Sequence, residues 1–464
     1  MRLLNLRDHA SSILVAALSS AFGVALLQLT NNLAASLTLN EEFGQRAGFQ
    51  AALSVLASVF IVISVYVGSL VTANTFATVI AGRTRTIALV RLIGGSARSQ
   101  RVQVAREGLA VGAIGAVIGA IVGALTAFAI FQFAQSTGVL PAIPYSFFDV
   151  IAILPIVGVV LTTWLAAWIG SRRVLTVTPM QALGASVDSL SRSGKSALRR
   201  VVVATLLCGV GLGIVVLGML VGLVTQEGML ISLVGGVISF TGFILGAQFV
   251  MPRVLRAVGS FIGRGASGEL AAKNALRYPE RSTRITLGLV IGVTLITMFA
   301  VATESFRYLI MISPAYGDSD GAAETLSALS STFSILIGFS AIIAAVGLVN
   351  TLSLSIVQRT RELGVLRALG FTATQLRAMI RVESAQLTIA ASLVGLILGT
   401  FYGWAGAQSL LGSTSGSAVF VLPVIPWWIL VATVLLAGGL ALTAAIAPAR
   451  RVTRITPVEA LAVD

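Results

Sequence analysis

Ten stretches of about twenty or more mostly apolar residues leave this chain little room to fold as anything but a bundle of membrane-spanning helices. They lie at about 11–33, 52–79, 108–132, 148–170, 199–224, 229–252, 284–304, 328–357, 384–406 and 425–447. A helix crossing the roughly 30 Å hydrocarbon core needs about 20 apolar residues, and lipid satisfies no backbone polar group. Each stretch must therefore close its own hydrogen bonds as a helix. Charged residues make up only 10% of the chain and mean hydropathy is +0.97, so lipid is the solvent for most of it. The expected class is an all-α polytopic membrane protein with ten transmembrane helices.

The net charge of +14 would suit nucleic acid, but its distribution points to a membrane. With the N-terminus inside and ten alternating spans, only Arg46 and Arg307 of the 31 Lys and Arg fall on the outer side, a strong positive-inside pattern. Acids such as Glu41, Glu42, Asp318, Asp320 and Glu324 lie outside, so the basic excess faces the cytoplasm and anionic lipid. No nucleic-acid partner is expected. The run after Arg2 and Arg7 could pass for a signal peptide, but the repeat described next makes it a retained first span. The single cysteine, Cys208, lies in the fifth stretch and forms no intrachain disulfide.

The chain matches itself at an offset of 276 residues. Asn74-Thr75 falls on Asn350-Thr351, Arg83-Thr84-Arg85 on Arg359-Thr360-Arg361, Arg91 on Arg367, Gly94 on Gly370, Arg101 on Arg377 and Glu107 on Glu383. Gly119 and Gly123 fall on Gly395 and Gly399. With small shifts, Leu6-Arg7 resembles Leu276-Arg277, and Arg172-Arg173 with Thr178-Pro179 resembles Arg450-Arg451 with Thr456-Pro457. Each unit reads as four spans with a long cytoplasmic segment between its second and third. Two units that both begin inside and hold an even number of spans have parallel topology, related by an axis along the membrane normal. Spans five and six match neither copy, and the Ser-, Gly- and Arg-rich stretch 171–198 before them reads as a linker.

The sharpest segment is Gln358 to Glu383, QRTRELGVLRALGFTATQLRAMIRVE. Leu363, Leu366, Leu369 and Leu376 recur at helical spacing beside Arg361, Arg367 and Arg377, and Gly370 suits a helix C-terminus. This predicts a short amphipathic helix at the cytoplasmic interface, and such a helix alone commonly does no more than lie on the membrane surface.

Asn350-Thr351-Leu352, followed by Arg359-Thr360-Arg361-Glu362-Leu363-Gly364-Val365-Leu366-Arg367-Ala368-Leu369-Gly370, resembles the signature of FtsX-like and MacB-like permeases. The resemblance implies that this segment is a coupling helix seated in a groove of a nucleotide-binding subunit. Its implied coupling residues are Arg359, Arg361, Glu362, Leu363, Gly364, Arg367 and Gly370, with Arg83, Arg85, Arg91 and Gly94 in the first copy. The resemblance covers nearly all of the chain outside about 190–265, and the ten-span arrangement looks most like the BceB-like branch. It implies a first four-span FtsX-like repeat at 1–185, a linker and two-span insert at 186–265, and a second repeat at 266–464. Location in the bacterial cytoplasmic (inner) membrane, with both termini cytoplasmic, follows. The chain departs from the family twice: the large extracytoplasmic domain is missing, and Thr86 stands where the second copy has Glu362.

Asn74 and Asn350 sit in the cytoplasmic halves of their spans, where an amide needs a partner, and read as interhelix hydrogen-bonding residues. Gly115, Gly119 and Gly123, and Gly395, Gly399 and Gly403, are spaced to let helices approach closely. Gly209, Gly211 and Gly213 also read as packing. Gly194-Lys195-Ser196 ends like a P-loop, but Ser189 stands where the first glycine belongs and no buried strand precedes it. His9 is the only histidine, so neither a zinc cluster nor a histidine triad can be assembled. The midplanes of the spans hold no ionisable group, which disfavours a proton- or sodium-coupled carrier.

The expected role is the permease subunit of an ABC transporter, with no ATPase site and no cofactor of its own. It exports or extracts a hydrophobic or amphipathic substrate such as a lipid, lipopeptide or peptide antibiotic. ATP and Mg are bound by a partner ATPase, recruited in two copies because one chain carries two coupling segments; membrane lipid is the other partner. The alternative is an ATPase-driven signalling protein acting on a cell-wall hydrolase or sensor kinase, against which the short outer loops count.

The charge split generates the first test. Arg83→Cys and Arg361→Cys are expected to resist an impermeant thiol reagent in intact cells, and Asp318→Cys to react; external labelling at position 361 would overturn the orientation.

Overall fold

The computed structural model describes residues 10–38, 96–136, 152–171, 194–262, 279–311 and 369–412, with further positions between 55 and 70, at 366, and between 420 and 439. Seven long helices run through them: α1 (Ala10–Thr38), α2 (Ala97–Ser136), α3 (Ile153–Gly170), α4 (Gly194–Gly222), α5 (Gly228–Ile262), α6 (Pro279–Met311) and α7 (Ala373–Leu411). No strand occurs among the described residues. Six of these helices are long and apolar enough to cross a membrane, and Ile153–Ile169 of α3 is a shorter apolar segment. The chain is an all-α polytopic membrane protein. Seven of the ten apolar stretches fall on α1–α7; 328–357 lies outside the described residues, and 52–79 and 425–447 are described only in part.

The helices pack as α1 along α2 and α6 along α7, with α3 against α2, and with α4 and α5 forming a hairpin that leans on α7. Apolar burial cannot drive this association, because lipid tails are as apolar as the side chains they would leave. Close backbone approach can. A Cβ on Gly123 would lie 2.5 Å from the Ala21 carbonyl oxygen, and one on Gly399 would lie 2.6 Å from that of Thr294. Gly115 and Gly119 meet Ala16 and Ala17 in the same way, and Gly395 and Gly403 meet Val293 and Met298. Thus both glycine series seat the third helix of a unit on its first. In the first pair, Ser20 Oγ also donates to the Ala116 carbonyl at 2.8 Å.

The insert uses the same device. Gly211 of α4 meets Ser239 of α5, and Gly242 of α5 meets Cys208 of α4. Gly209 and Gly213 have nothing within 4 Å, which corrects the reading of all three α4 glycines as packing: only every second one faces α5. α6 is the most enclosed helix, with 78% of its membrane-length segment buried against 22% for α4, whose outer face is left to lipid.

Three helix starts precede their apolar stretches. α4 begins at Gly194, so residues 194–198, read as linker, form its first turn. α2 and α7 begin well before the stretches 108–132 and 384–406, and run 40 and 39 residues. At 1.5 Å per residue each is about 60 Å long, roughly twice the hydrocarbon core. The overhanging ends carry Arg98, Arg101 and Arg106 on α2 and Arg377 and Arg381 on α7. Hydropathy misses such ends because their composition is that of a water-exposed helix. Arg101 lies 4.1 Å from the ring centroid of Trp168 at the facing end of α3, a cation–π contact suited to a membrane boundary.

The packing account makes a quantitative prediction. Gly399→Val forces apart two helix backbones and is expected to destabilise by about 1–3 kcal/mol, whereas Gly213→Val, which meets open space, should stay within about 0.5 kcal/mol. Unfolding in detergent micelles measures both; equal losses would refute the close-approach account.

Candidate functional site

The second signature segment ends in a defined turn. Gly370 has φ +95°, the only described residue in the left-handed region, and the Phe371 N–H donates to the Leu366 carbonyl at 3.0 Å. This six-to-one bond over a left-handed glycine is a Schellman closure of a helix C-terminus. The chain restarts at once. Thr372 Oγ1 accepts from the Gln375 N–H at 3.2 Å, and Gln375 Oε1 accepts from the Thr372 N–H at 2.9 Å, a reciprocal capping box that opens α7. In the first copy Ser96 Oγ accepts from the Ser99 N–H at 3.1 Å and opens α2 at the equivalent place.

Gln358–Glu383 is therefore not one short amphipathic helix. It breaks at Gly370, and Leu376, read as part of its apolar stripe, is a fully buried residue of α7. The helical spacing carried across the break because the turn costs the chain only a few residues of phase. Arg359, Arg361, Glu362, Leu363, Gly364 and Arg367 lie outside the described residues, as do Arg83, Arg85, Arg91, Gly94, Asn74 and Asn350.

At the other end of α7 the structure holds a cavity of about 140 Å³ that the sequence did not announce. Its walls come from α5 (Met229 to Phe240), α6 (Ile291 to Phe306), α7 (Tyr402 to Ala407), Val215 of α4, and Val59, Ile63, Tyr66 and Val67 of the second apolar stretch. Residues so far apart in sequence share no local pattern, which is why periodicity gave no sign of them. Its polar groups are few. Tyr66 Oη pairs with Thr241 Oγ1 at 2.8 Å and donates to the Val237 carbonyl at 3.2 Å, Tyr402 Oη pairs with Ser239 Oγ at 2.8 Å, and Ser232 Oγ pairs with Ser409 Oγ at 2.6 Å. Phe240 stands edge-on between the two tyrosines, 6.4 Å from Tyr66 and 6.1 Å from Tyr402 by ring centroid. One turn of α5 thus ties the second stretch of the first copy to the third helix of the second.

The family model for the C-terminal domain of FtsX-like permeases matches the chain twice, at residues 58–179 and 334–457, together more than half of its length. The chain belongs to the FtsX-like permease family. The matched segments of this FtsX-like permease include the signature residues of both copies and the glycine-bearing helices α2 and α7. It is 30% identical over 129 residues to the ABC transporter permease YtrF of Bacillus subtilis, covering 26% of this chain and 29% of that protein. It is 29% identical over 161 residues to an ABC transporter permease of Methanocaldococcus jannaschii, covering 32% and 40%. It is also 31% identical over 145 residues to the macrolide export ATP-binding/permease protein MacB of Chlorobium luteolum, covering 30% and 20%. The alignments thus span less than half the length of each of these relatives.

The Schellman turn fixes how the signature segment meets α7. Gly370→Val places a β-branched residue at positive φ, at a cost of about 1–2 kcal/mol. The permease is expected to assemble normally but to show faster amide hydrogen exchange at Phe371 and across the first turn of α7. Unchanged exchange there would show that the glycine is not needed to make the turn.

Proposed function

We propose that this permease couples ATP hydrolysis by a separate ATPase to the export or extraction of a hydrophobic or amphipathic substrate, such as a lipid, lipopeptide or peptide antibiotic. The observation that carries the reading is the continuity of α7. Its N-cap adjoins the signature segment at Gly370, and Tyr402 to Ala407 near its other end form a wall of the apolar cavity. About 45 Å of unbroken helix separates the two. A displacement imposed at the signature segment reaches the cavity as rigid-body motion, because a helix is stiff along its axis while its side-chain contacts can slip. α2 is the matching long helix of the first copy, but no residue of it lines the cavity.

The composition of the cavity favours an apolar cargo, and export is the direction named for the MacB relative. In this reading the two signature segments of one chain engage two ATPase subunits, which hold the ATP and Mg. The permease itself carries no hydrolytic site, and lies in the cytoplasmic membrane in the ten-span orientation set by its charges. Glu362 retains an acid that Thr86 lacks, so the second segment makes the stronger contact with its ATPase, since a charge-assisted bond outweighs a neutral one.

The experiment is an ATPase assay on the reconstituted complex with acylated-peptide substrates. Loss of one member of a buried interfacial charge pair costs about 2–5 kcal/mol, so Glu362→Lys should lower substrate-stimulated hydrolysis at least about tenfold, while Thr86→Lys should change it little. The copurified complex should have the mass of two ATPases per permease. Equal mild effects, or one ATPase per permease, would refute the asymmetric two-contact scheme.

A further inference from the structure

The basic end of the first unit carries positive charge that its own helices do not answer. α2 has three arginines, Arg98, Arg101 and Arg106, and a single acid, Glu107; α1 and α3, which pack against it, have no acid. Glu107 Oε1 accepts from Gln103 Nε2 at 3.3 Å. Among the described residues, the side chains of Arg98 and Arg101 make no hydrogen bond or ion pair.

Arg101 is nevertheless held in one place. Gly108 faces Ala167 and Gly112 faces Thr163, so α2 lies close along α3 and runs against it. The Arg101 guanidinium carbon then stands 4.1 Å from the Trp168 ring centroid, and Trp164 stacks beside that ring at 6.3 Å. The Arg101 Nε is enclosed and unpartnered, but the two terminal nitrogens are not enclosed. Arg98, one turn earlier on the same side of α2, is exposed.

The apolar span of α3 ends at Ile169, next to Trp168, and that of α2 begins at Arg101. Two helices of opposite direction therefore put ring and guanidinium at one membrane boundary, the level that tryptophan favours. Lipid phosphates lie at that boundary, and a phosphodiester offers paired oxygens to the parallel N–H bonds of a guanidinium. A carboxylate of a soluble partner would have to be brought to the same depth. The stacked pair belongs to the first unit alone: Arg377 matches Arg101, but in the register that sets Arg172 on Arg450, Ile446 stands where Trp168 does.

We propose that Arg101, seated on Trp168, binds with Arg98 the phosphate headgroup of one anionic phospholipid, which is a fixed lipid of the permease and not its cargo. The site holds whether or not the transport reading does.

The test is native mass spectrometry of the full-length permease released from micelles holding dioleoyl phosphatidylglycerol and dioleoyl phosphatidylcholine in equal amounts. One phosphatidylglycerol per chain is expected to stay bound in preference to phosphatidylcholine. Arg101→Gln should lower that preference about fivefold, the weight of one arginine at an anionic surface. Arg101→Lys keeps the charge but loses the two-point grip, and should fall between the unaltered chain and Arg101→Gln. Trp168→Leu leaves every charge in place and should also lower the preference. Arg106→Gln removes an equal charge from a side of α2 turned away from α3, and should leave it unchanged. Equal losses in Arg101→Gln and Arg106→Gln would make the preference diffuse electrostatics and overturn the site. Displacement of the lipid by excess inorganic phosphate would overturn it by making this a free-anion site. Loss of the lipid when a copurified ATPase stays on the permease would do so by giving the arginines to that subunit.

Discussion

Everything in this structure depends on helices coming together in a solvent that gives no reward for burying apolar side chains. The answer is the same in all three parts of the chain: glycines remove side-chain bulk where one backbone meets another, and dispersion between closely apposed helices does the rest. Gly119 and Gly123 set α2 on α1, Gly399 and Gly403 set α7 on α6, and Gly211 and Gly242 set α4 on α5. The α1/α2 and α6/α7 pairs are each locked in this way.

Between those pairs, α5 is where the second apolar stretch and α7 meet. Tyr66 and Tyr402 reach the same turn of α5 from opposite sides, with Phe240 between their rings. These contacts are hydroxyl pairs and ring edges, which can part and re-form, whereas the glycine contacts are backbone against backbone and cannot slip without unpacking a helix pair. The insert, which matches neither repeat in sequence, is in structural terms the part that joins them.

α7 connects this region to the basic end of the bundle. α2 and α7 outrun the hydrocarbon core by roughly half their length, and their overhangs bear the arginines that a bilayer would reject. The capping box at Thr372 and the Schellman turn at Gly370 make a sharp, hydrogen-bonded corner. That corner joins the signature segment directly to α7.

Much of this was readable from residue order alone. An apolar run of about 20 residues dictates a helix in lipid because the backbone has no other partner, so the all-α class and most of the helices followed from local composition. The duplication followed from the matched positions, and the glycine series from their spacing, since glycines recurring every fourth residue share one helix face. Gly370 announced its turn because few other residues adopt positive φ. Other features needed the third dimension. Leu376 kept helical phase with Leu369 across the turn at Gly370, so periodicity ran the apolar stripe past that turn into α7. Gly209, Gly211 and Gly213 look alike in sequence, but only the middle one meets α5. The cavity was invisible because Tyr66, Phe240, Thr294 and Tyr402 come from four separate segments, and whether a glycine closes a contact or opens a space is decided by the neighbour that folding brings opposite it.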